Sequence, residues 1–279
     1  SFHMKAKQMG ALILIIIMIF SMLAAFFTTT EEPVRIKKDF NTLKNALKLV
    51  PSSPFLVQFA SVENIKGTEL ERLIRDLGAL PPYEQYRAIV TKALIADYLD
   101  RSWVELHEVN QREVKLNYTS TYSYHDLEVK ITPQGLAIVT ETSPIIFGFS
   151  GRVNETMDLM LNNTNWSAYQ TFLPLMARSR LNADFALIRT QAPYVYDAYY
   201  IGTSYAGKNS YQFEAVLHLN RSANESDLNG FKSNLLSREL YAKPRNFTYY
   251  IVNFELDYAV VNATGSFQAV MREFEDLAR

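Results

Sequence analysis

The nine residues YQFEAVLHL, at positions 211–219, carry the pattern that decides the fold. Every second residue from Tyr211 to Leu219 is apolar. Because successive side chains of a strand point to opposite faces, this segment would have one wholly apolar face. The pattern predicts a strand of an antiparallel sheet that packs one face against a core.

The same period of two runs through residues 102–148, where Leu127, Val129 and Ile131 alternate with charged residues. Short polar breaks separate the runs, which predicts an antiparallel meander with one wet face. Further strands are predicted at 55–62, 185–190, 198–204, 247–254 and 256–261. One acceptor asparagine, Asn117, falls on the polar side of its predicted strand.

Helical spacing separates these strands. The clearest helix begins at Thr68, which forms a capping box with Glu71, and it ends at Gly78. Other helices are predicted at 38–50, 86–94, 168–181, from Ser226 onward, and at 267–278. The fold class is therefore α+β, with antiparallel sheet and flanking helices.

The chain order also suggests two similar halves. A helix, a break and a strand run from Phe40 to Phe59, and the same order runs from Phe172 to Arg189. The residues PFLV at 54–57 then align with DFAL at 184–187, although helix–turn–strand is a common order. An asparagine-rich stretch near 151–165 predicts a boundary, which gives two extracytoplasmic domains at 31–150 and 151–279.

Composition excludes several classes of function. The 279 residues are 48% hydrophobic and 20% charged, with a formal charge of −1. A nucleic-acid partner is disfavoured because such proteins usually carry a basic face. The absence of cysteine excludes disulfides, thiolate metal sites and thiol nucleophiles. Ten glycines leave little for phosphate-binding loops.

The amino-terminal region predicts a membrane anchor. Residues 10–30 lack charge and are mostly apolar, and about 20 such residues cross a bilayer as a helix. Lysines precede the segment, whereas Glu31 and Glu32 follow it, so residues 4–9 are expected in the cytoplasm and the rest outside. Residues 1–3 have the character of an expression scar. The alternative is a cleaved signal peptide, which lacks an evident cleavage site.

Glycosylation acceptors give independent support for export. With 18 Asn, and with Ser plus Thr at 37 of 279 residues, chance gives about 2.4 Asn-x-Ser/Thr triplets. Eight are present, although polar turns can produce such triplets by accident. The acceptors are Asn117, Asn154, Asn162, Asn165, Asn220, Asn224, Asn246 and Asn262. Because exported animal proteins usually carry disulfides, a cysteine-free glycoprotein favours an archaeal cell surface.

Catalytic and metal-binding motifs are weak. His107, His125 and His218 show no ligand spacing, so neither a metal nor another cofactor is predicted. The segment 202–207 lacks the last glycine of a nucleophile elbow, which favours a hairpin turn. The carboxylate pairs Glu105 with Glu108, and Glu255 with Asp257, are expected to face water. No catalytic residue is assigned.

Tyrosine is the one unusual abundance, with 17 in the chain. A cluster lies within a short stretch and could form an aromatic surface for a glycan or protein. The alternative is strand propensity on half-buried sheet faces, which is the commoner cause. The cluster comprises Tyr194, Tyr196, Tyr199, Tyr200 and Tyr205.

Two functional hypotheses follow from these features. The first is a non-catalytic, single-pass membrane protein whose glycosylated ectodomain binds a surface protein, a glycan or an envelope assembly component. The second is a membrane-tethered hydrolase or transferase with a site assembled from distant residues. A sensor is disfavoured because few residues precede the predicted span.

Overall fold

The computed structural model describes residues 34–110, 114–162 and 166–278. Residues Val34–Arg279 belong to one compact unit. The predicted membrane anchor at 10–30, its cytoplasmic end and the scar lie outside the described residues. Within the described part, no helix combines the length and the apolar character that a bilayer crossing needs.

The described residues confirm an α+β fold built on a large antiparallel sheet. The strands are β1 (Ile36–Lys37), β2 (Leu56–Ser61), β3 (Val90–Asp97), β4 (Trp103–Val109), β5 (Ser120–Tyr124), β6 (Leu127–Ile131), β7 (Ala137–Val139), β8 (Thr142–Ser143), β9 (Ile145–Gly148), β10 (Phe185–Thr190), β11 (Tyr196–Gly207), β12 (Ser210–Leu219), β13 (Phe247–Glu255) and β14 (Tyr258–Gly265). The helices are α1 (Leu43–Leu47), α2 (Glu69–Asp76), α3 (Tyr83–Tyr86), α4 (Ser150–Met160), α5 (Ala168–Met176), α6 (Glu225–Leu240) and α7 (Phe267–Leu277), with a 3₁₀ turn at Lys243–Arg245.

Twelve strands form one continuous sheet in the order β13-β14-β12-β11-β10-β2-β3-β4-β9-β7-β6-β5. Every pairing within it is antiparallel. The short β1 and β8 pair separately and are parallel. The sheet is uninterrupted between the predicted domains, because β2 pairs directly with β10.

The eight central strands are arranged symmetrically about the β2–β10 pair. The order β9-β4-β3-β2 on one side corresponds to β14-β12-β11-β10 on the other. Each side begins with a helix, α1 or α5, and ends with an 11-residue helix, α4 or α7. The closing helices differ in placement, because α4 and α7 pack on opposite faces of the sheet.

Two hydrophobic cores lie on the two faces of the sheet. The first face packs against α2, α3, α6 and α7. The second face packs against α1, α4 and α5. Alternation along β2 shows the division, because Ala60 belongs to the first core and Val57 and Phe59 to the second.

Several local predictions are confirmed. The hydroxyl of Thr68 accepts from the backbone N–H of Glu71 at the start of α2, and Gly78 adopts a left-handed φ of 65° just past its end. The carboxylate of Glu71 accepts from Gly67 N rather than from the cap residue itself.

Two local predictions are wrong. The predicted helix at 86–94 is instead the end of α3 followed by β3, and Arg87 breaks it with a φ of 51°. Both faces of strand β3 carry apolar residues, with Leu94 buried on one face and Ala93 and the half-exposed Ile95 on the other, so their combined spacing mimics that of a helix. Residues 114–118, which include Asn117, have no regular structure, because pairing begins only at Ser120.

Candidate functional site

The first face of the sheet has a half-exposed region, which we name the open face. Its side chains come from five adjacent strands and from the residue after β9, and strand register places them in two rows. One row is Leu187, Gln58, Ile95, Glu105 and Phe147. The other row is Arg189, Leu56, Asp97 and Trp103, with Phe149 beyond it.

Neighbouring rows of the same face are buried on both sides of the open face. Next to Ile95 along β3, Ala93 lies in the core with α2. Across the sheet, Ile201 and Val261 lie in the same core, against which α7 packs. The open face is therefore the part of this face that stays half-exposed between the two helical layers.

One carboxylate of the open face, that of Glu105, contacts the buried His107, which in turn contacts the buried Tyr86. The Glu105 carboxylate lies 2.7 Å from His107 Nε2, and His107 Nδ1 lies 2.5 Å from the hydroxyl of Tyr86. Burial raises the pKa of Tyr86 well above its ordinary value, so the phenol keeps its proton. The Tyr86 hydroxyl, the His107 imidazole and the Glu105 carboxylate thus form one hydrogen-bonded chain.

A second carboxylate lies beside Glu105. Asp97 and Glu105 are diagonal neighbours on adjacent strands and share a face of the sheet. Residues in that arrangement are typically about 7–8 Å apart. Burial, and then the negative charge of Glu105, raise the pKa of Asp97 above its ordinary value. Among the described residues, none forms a hydrogen bond or ion pair with the Asp97 carboxylate.

Aromatic rings border these carboxylates. Trp103 is in edge-to-face contact with Phe147 at 5.2 Å and with Phe149 at 5.8 Å between ring centroids. Phe149 is 43% exposed. A cleft of about 510 Å³ lies between the 78–85 segment and the side chains of Ile95, Glu105 and Phe147. The open face thus combines acidic groups with accessible aromatic surface.

The predicted tyrosine surface is corrected by the structure. Tyr196, Tyr199 and Tyr200 are buried in the two cores, because alternate residues of β11 face opposite helical layers. Only Tyr194 is well exposed, and Tyr205 is half-buried. These five residues therefore do not form one aromatic surface, and strand propensity explains the abundance.

The predicted acceptors fall into two groups by exposure. The exposed ones are Asn117, Asn162, Asn224 and Asn246. The half-buried ones are Asn154, Asn220 and Asn262. Asn165 lies outside the described residues.

The remaining chemistry-bearing residues form separate contacts. His125 pairs with Asp158 at 2.7 Å and His218 with Asp197 at 2.5 Å, both near the surface. The segment 202–207 lies within β11, so the chain turns only after it. The other members of the predicted carboxylate pairs bind basic side chains: Glu108 contacts Lys92, Glu255 contacts Arg178, and Asp257 contacts Arg221. Within the described residues, no group of three or more His, Asp or Glu could hold a metal ion.

The sequence identified Glu105 as a member of a carboxylate pair but did not predict which residues surround it. The alternation that places Glu105 and His107 on one face of β4 was available as a signal. No sequence signal identified Tyr86 and Asp97, because helix α3 brings Tyr86 to the site and strand pairing brings Asp97 there.

The fold and site define an α+β protein with a twelve-stranded sheet and an acidic, aromatic open face. The AF_2048_N family N-terminal domain matches residues 39–161, which is less than half of the chain. No curated protein and no solved structure matches the chain.

Proposed function

We propose that this chain is a single-pass, membrane-anchored cell-surface protein whose ectodomain binds a partner through the open face. Residues 10–30 would form the anchor, and the carboxyl-terminal region would lie outside the cell, with archaeal origin and N-glycosylation at the acceptor asparagines. The uncharged apolar run and the eight acceptor triplets support export.

The open face is the observation that carries the binding proposal. Most residues of this sheet face are buried under helices, whereas Trp103, Ile95 and Phe147 stay half-exposed at its centre. Aromatic side chains are enriched in protein interfaces because they supply a large contact area. Carboxylates at the rim add hydrogen-bond acceptors that can fix a partner's orientation.

Site-specific crosslinking in the native membrane tests this proposal. A photo-reactive amino acid at position 95 samples the open face, and one at Lys208, in the exposed β11–β12 turn, is the matched control. We expect a discrete crosslinked partner from position 95 and none from position 208. Equal or absent crosslinking at both positions would remove the binding proposal.

Protease treatment of intact cells tests the membrane topology separately. If the carboxyl-terminal region lies outside, external protease should degrade it without lysis. Protection in intact cells, with degradation only after lysis, would contradict the topology.

We also propose an internal organisation of two α+β halves within 31–279. The symmetric strand order supports it, and the family match ends at 161, directly after α4. This placement moves the boundary from 150 to the stretch between α4 and α5.

A hydrolase or transferase is the second candidate function, because Asp97 and Glu105 are close carboxylates in different environments. Glu105 is held by His107, whereas burial favours the protonated form of Asp97, which is how acid and base roles are divided in many enzymes. A chromogenic substrate panel tests it. Turnover that Glu105→Gln and Asp97→Asn both abolish would support catalysis, and no turnover would leave binding alone.

A further inference from the structure

We propose that the open face binds a lysine or arginine side chain of a protein partner. This inference rests on the proposed binding function and names the chemistry of the ligand. It follows from an imbalance of charge, from the aromatic border, and from the way the chain holds its own arginines.

The charge imbalance is local. Asp97 and Glu105 place two carboxylates side by side. Of these two, His107 contacts Glu105 alone, and two arginines of this region have partners of their own, because Arg189 is hydrogen-bonded to Tyr199 and Arg75 pairs with Glu71 at 2.9 Å. A cation between the two carboxylates would therefore relieve their mutual repulsion.

The aromatic border favours an organic cation. A guanidinium or ammonium group over an aromatic ring is attracted by the negative face of the ring, and the attraction grows as the cation is desolvated. Trp103, Phe147 and Phe149 provide such rings beside the carboxylates. The aliphatic stem of a lysine or arginine would also cover part of the apolar floor.

The chain uses this combination internally. The Arg152 guanidinium lies 3.8 Å from the Tyr98 ring centroid and pairs with Asp100. A second guanidinium, that of Arg178, stacks on Tyr258 at 3.7 Å and lies 3.8 Å from a Glu255 oxygen.

The open face has the same parts, but its own arginine, Arg189, is hydrogen-bonded to Tyr199. Its aromatic rings and its two carboxylates lie together, as in the two internal examples. The missing member is the cation, which a partner chain would supply.

Fluorescence of Trp103 reports directly on this site. The chain has two tryptophans, and Trp166 is 74% exposed, so Trp166→Phe leaves one reporter. The full chain in phosphatidylcholine nanodiscs is titrated with the peptide acetyl-GRGRG-amide. The control peptide carries citrulline, the neutral isostere, in place of each arginine.

We expect a saturable change in Trp103 emission with the arginine peptide and none with the citrulline peptide. Asp97→Asn and Glu105→Gln, each in the Trp166→Phe background, should weaken binding roughly fivefold to tenfold. The charge-matched control Glu225→Gln, at an exposed position on α6, should leave it unchanged. Circular dichroism of each variant establishes that it is folded.

Three outcomes overturn the inference. One is equal binding of both peptides, and another is binding that neither Asp97→Asn nor Glu105→Gln weakens. The third is a salt-independent response to the neutral sugar N,N′-diacetylchitobiose without any response to the arginine peptide, which would assign the face to a saccharide. Crosslinking from position 95 without a peptide response would reject the basic ligand while the proposed function stands.

Discussion

Wholly and partly buried carboxylates in this protein differ in how well their charge is compensated. Glu273 is completely buried, but it accepts hydrogen bonds from two arginines and from Tyr250. Asp184 accepts one, from the backbone N–H of Tyr205 at 3.1 Å. Burial accordingly raises the pKa of Asp184 to about 6. A buried carboxylate with one neutral donor destabilises the fold whenever it is ionised.

Asp184→Asn should therefore stabilise the protein at neutral pH. The folded state binds the Asp184 proton more tightly than the unfolded chain, so wild-type stability from this group is highest below about pH 4 and is lost as pH rises through 6. An asparagine there can still accept from Tyr205 N. We expect a gain on the order of 1–2 kcal/mol at pH 7.5, discounted for partial exposure, that disappears near pH 4.

Urea denaturation at both pH values measures this gain. The control Asp126→Asn, at an exposed left-handed position, should show no such pH dependence. Asp184→Asn that is neutral or destabilising at pH 7.5 would contradict the argument.

Tyr86→Phe should destabilise the fold, because it leaves His107 Nδ1 buried without its hydrogen-bond partner. The expected cost is about 1–3 kcal/mol, that of an unsatisfied buried polar group. Tyr83→Phe, on the same short helix, is the matched control, because Tyr83 is 56% exposed. Thermal unfolding of the two variants measures the difference. Equal unfolding midpoints would mean that the Tyr86–His107 hydrogen bond contributes nothing.

If the chain is exported, exposure should decide which acceptors carry glycan. Asn224 and Asn246 lie in exposed turns, whereas Asn262 is half-buried within β14 between two paired strands. We expect modification at Asn224 and Asn246 and none at Asn262, because a modified asparagine must be accessible at the surface. Glycopeptide mass spectrometry of protein from its native membrane gives the answer. Glycan at Asn262 alone would contradict the ranking.

At the scale of single elements, the sequence predicted helix α2 from its one solvent-exposed face, whereas the alternation at 114–118 did not produce a strand. Helix α2 has buried Leu70 and Ile74 on one side and solvent on the other, so its period was readable. Strand β3 carries apolar residues on its half-exposed face as well as on its buried face, and it was misread as a helix because neither face is uniformly polar. The open face was invisible for a related reason. Its residues come from five strands, and only their pairing brings Asp97 and Glu105 together.

Replacement of two glycines by alanine should change the stability of the fold in opposite directions. Gly148 ends β9 with a φ of 151°, and a Cβ there would lie 2.5 Å from the backbone oxygen of Trp103. Gly148→Ala should therefore cost roughly 2–4 kcal/mol through backbone displacement and strain. Gly230, within α6, has nothing within 4 Å of its Cβ position. Gly230→Ala should stabilise by about 0.5–1 kcal/mol.

Urea denaturation of both variants checks these signs. A stability loss of similar size in both would show that neither local environment controls the effect. If Gly148→Ala were neutral, strand β4 would have to yield at Trp103 without cost.

At the scale of the whole molecule, the proposed halves share burial rather than sequence. An offset of 129 places buried Leu43 and Leu47 of α1 on buried Phe172 and Met176 of α5. The alignment of PFLV with DFAL is one residue out of register with the sheet, since it equates Val57 with Leu187, on opposite faces. The alignment by residue type was therefore misleading. Corresponding positions of the two halves share the face of the sheet on which they lie, and they do not share the residue type.

The central β2–β10 pair should make the two halves mutually dependent. Five residue pairs join these strands, and each hydrophobic core contains residues from both halves. If residues 34–162 and 166–279 are produced separately, each fragment would expose a central strand as a new edge, with Val57 and Phe59 or Ala186 and Ile188 uncovered. Exposed apolar edge strands promote aggregation, so we expect each fragment alone to be insoluble and the co-expressed pair to associate. Size-exclusion chromatography and denaturant unfolding distinguish the cases. A first fragment that unfolds cooperatively as a soluble monomer would contradict this dependence and would indicate two autonomous domains.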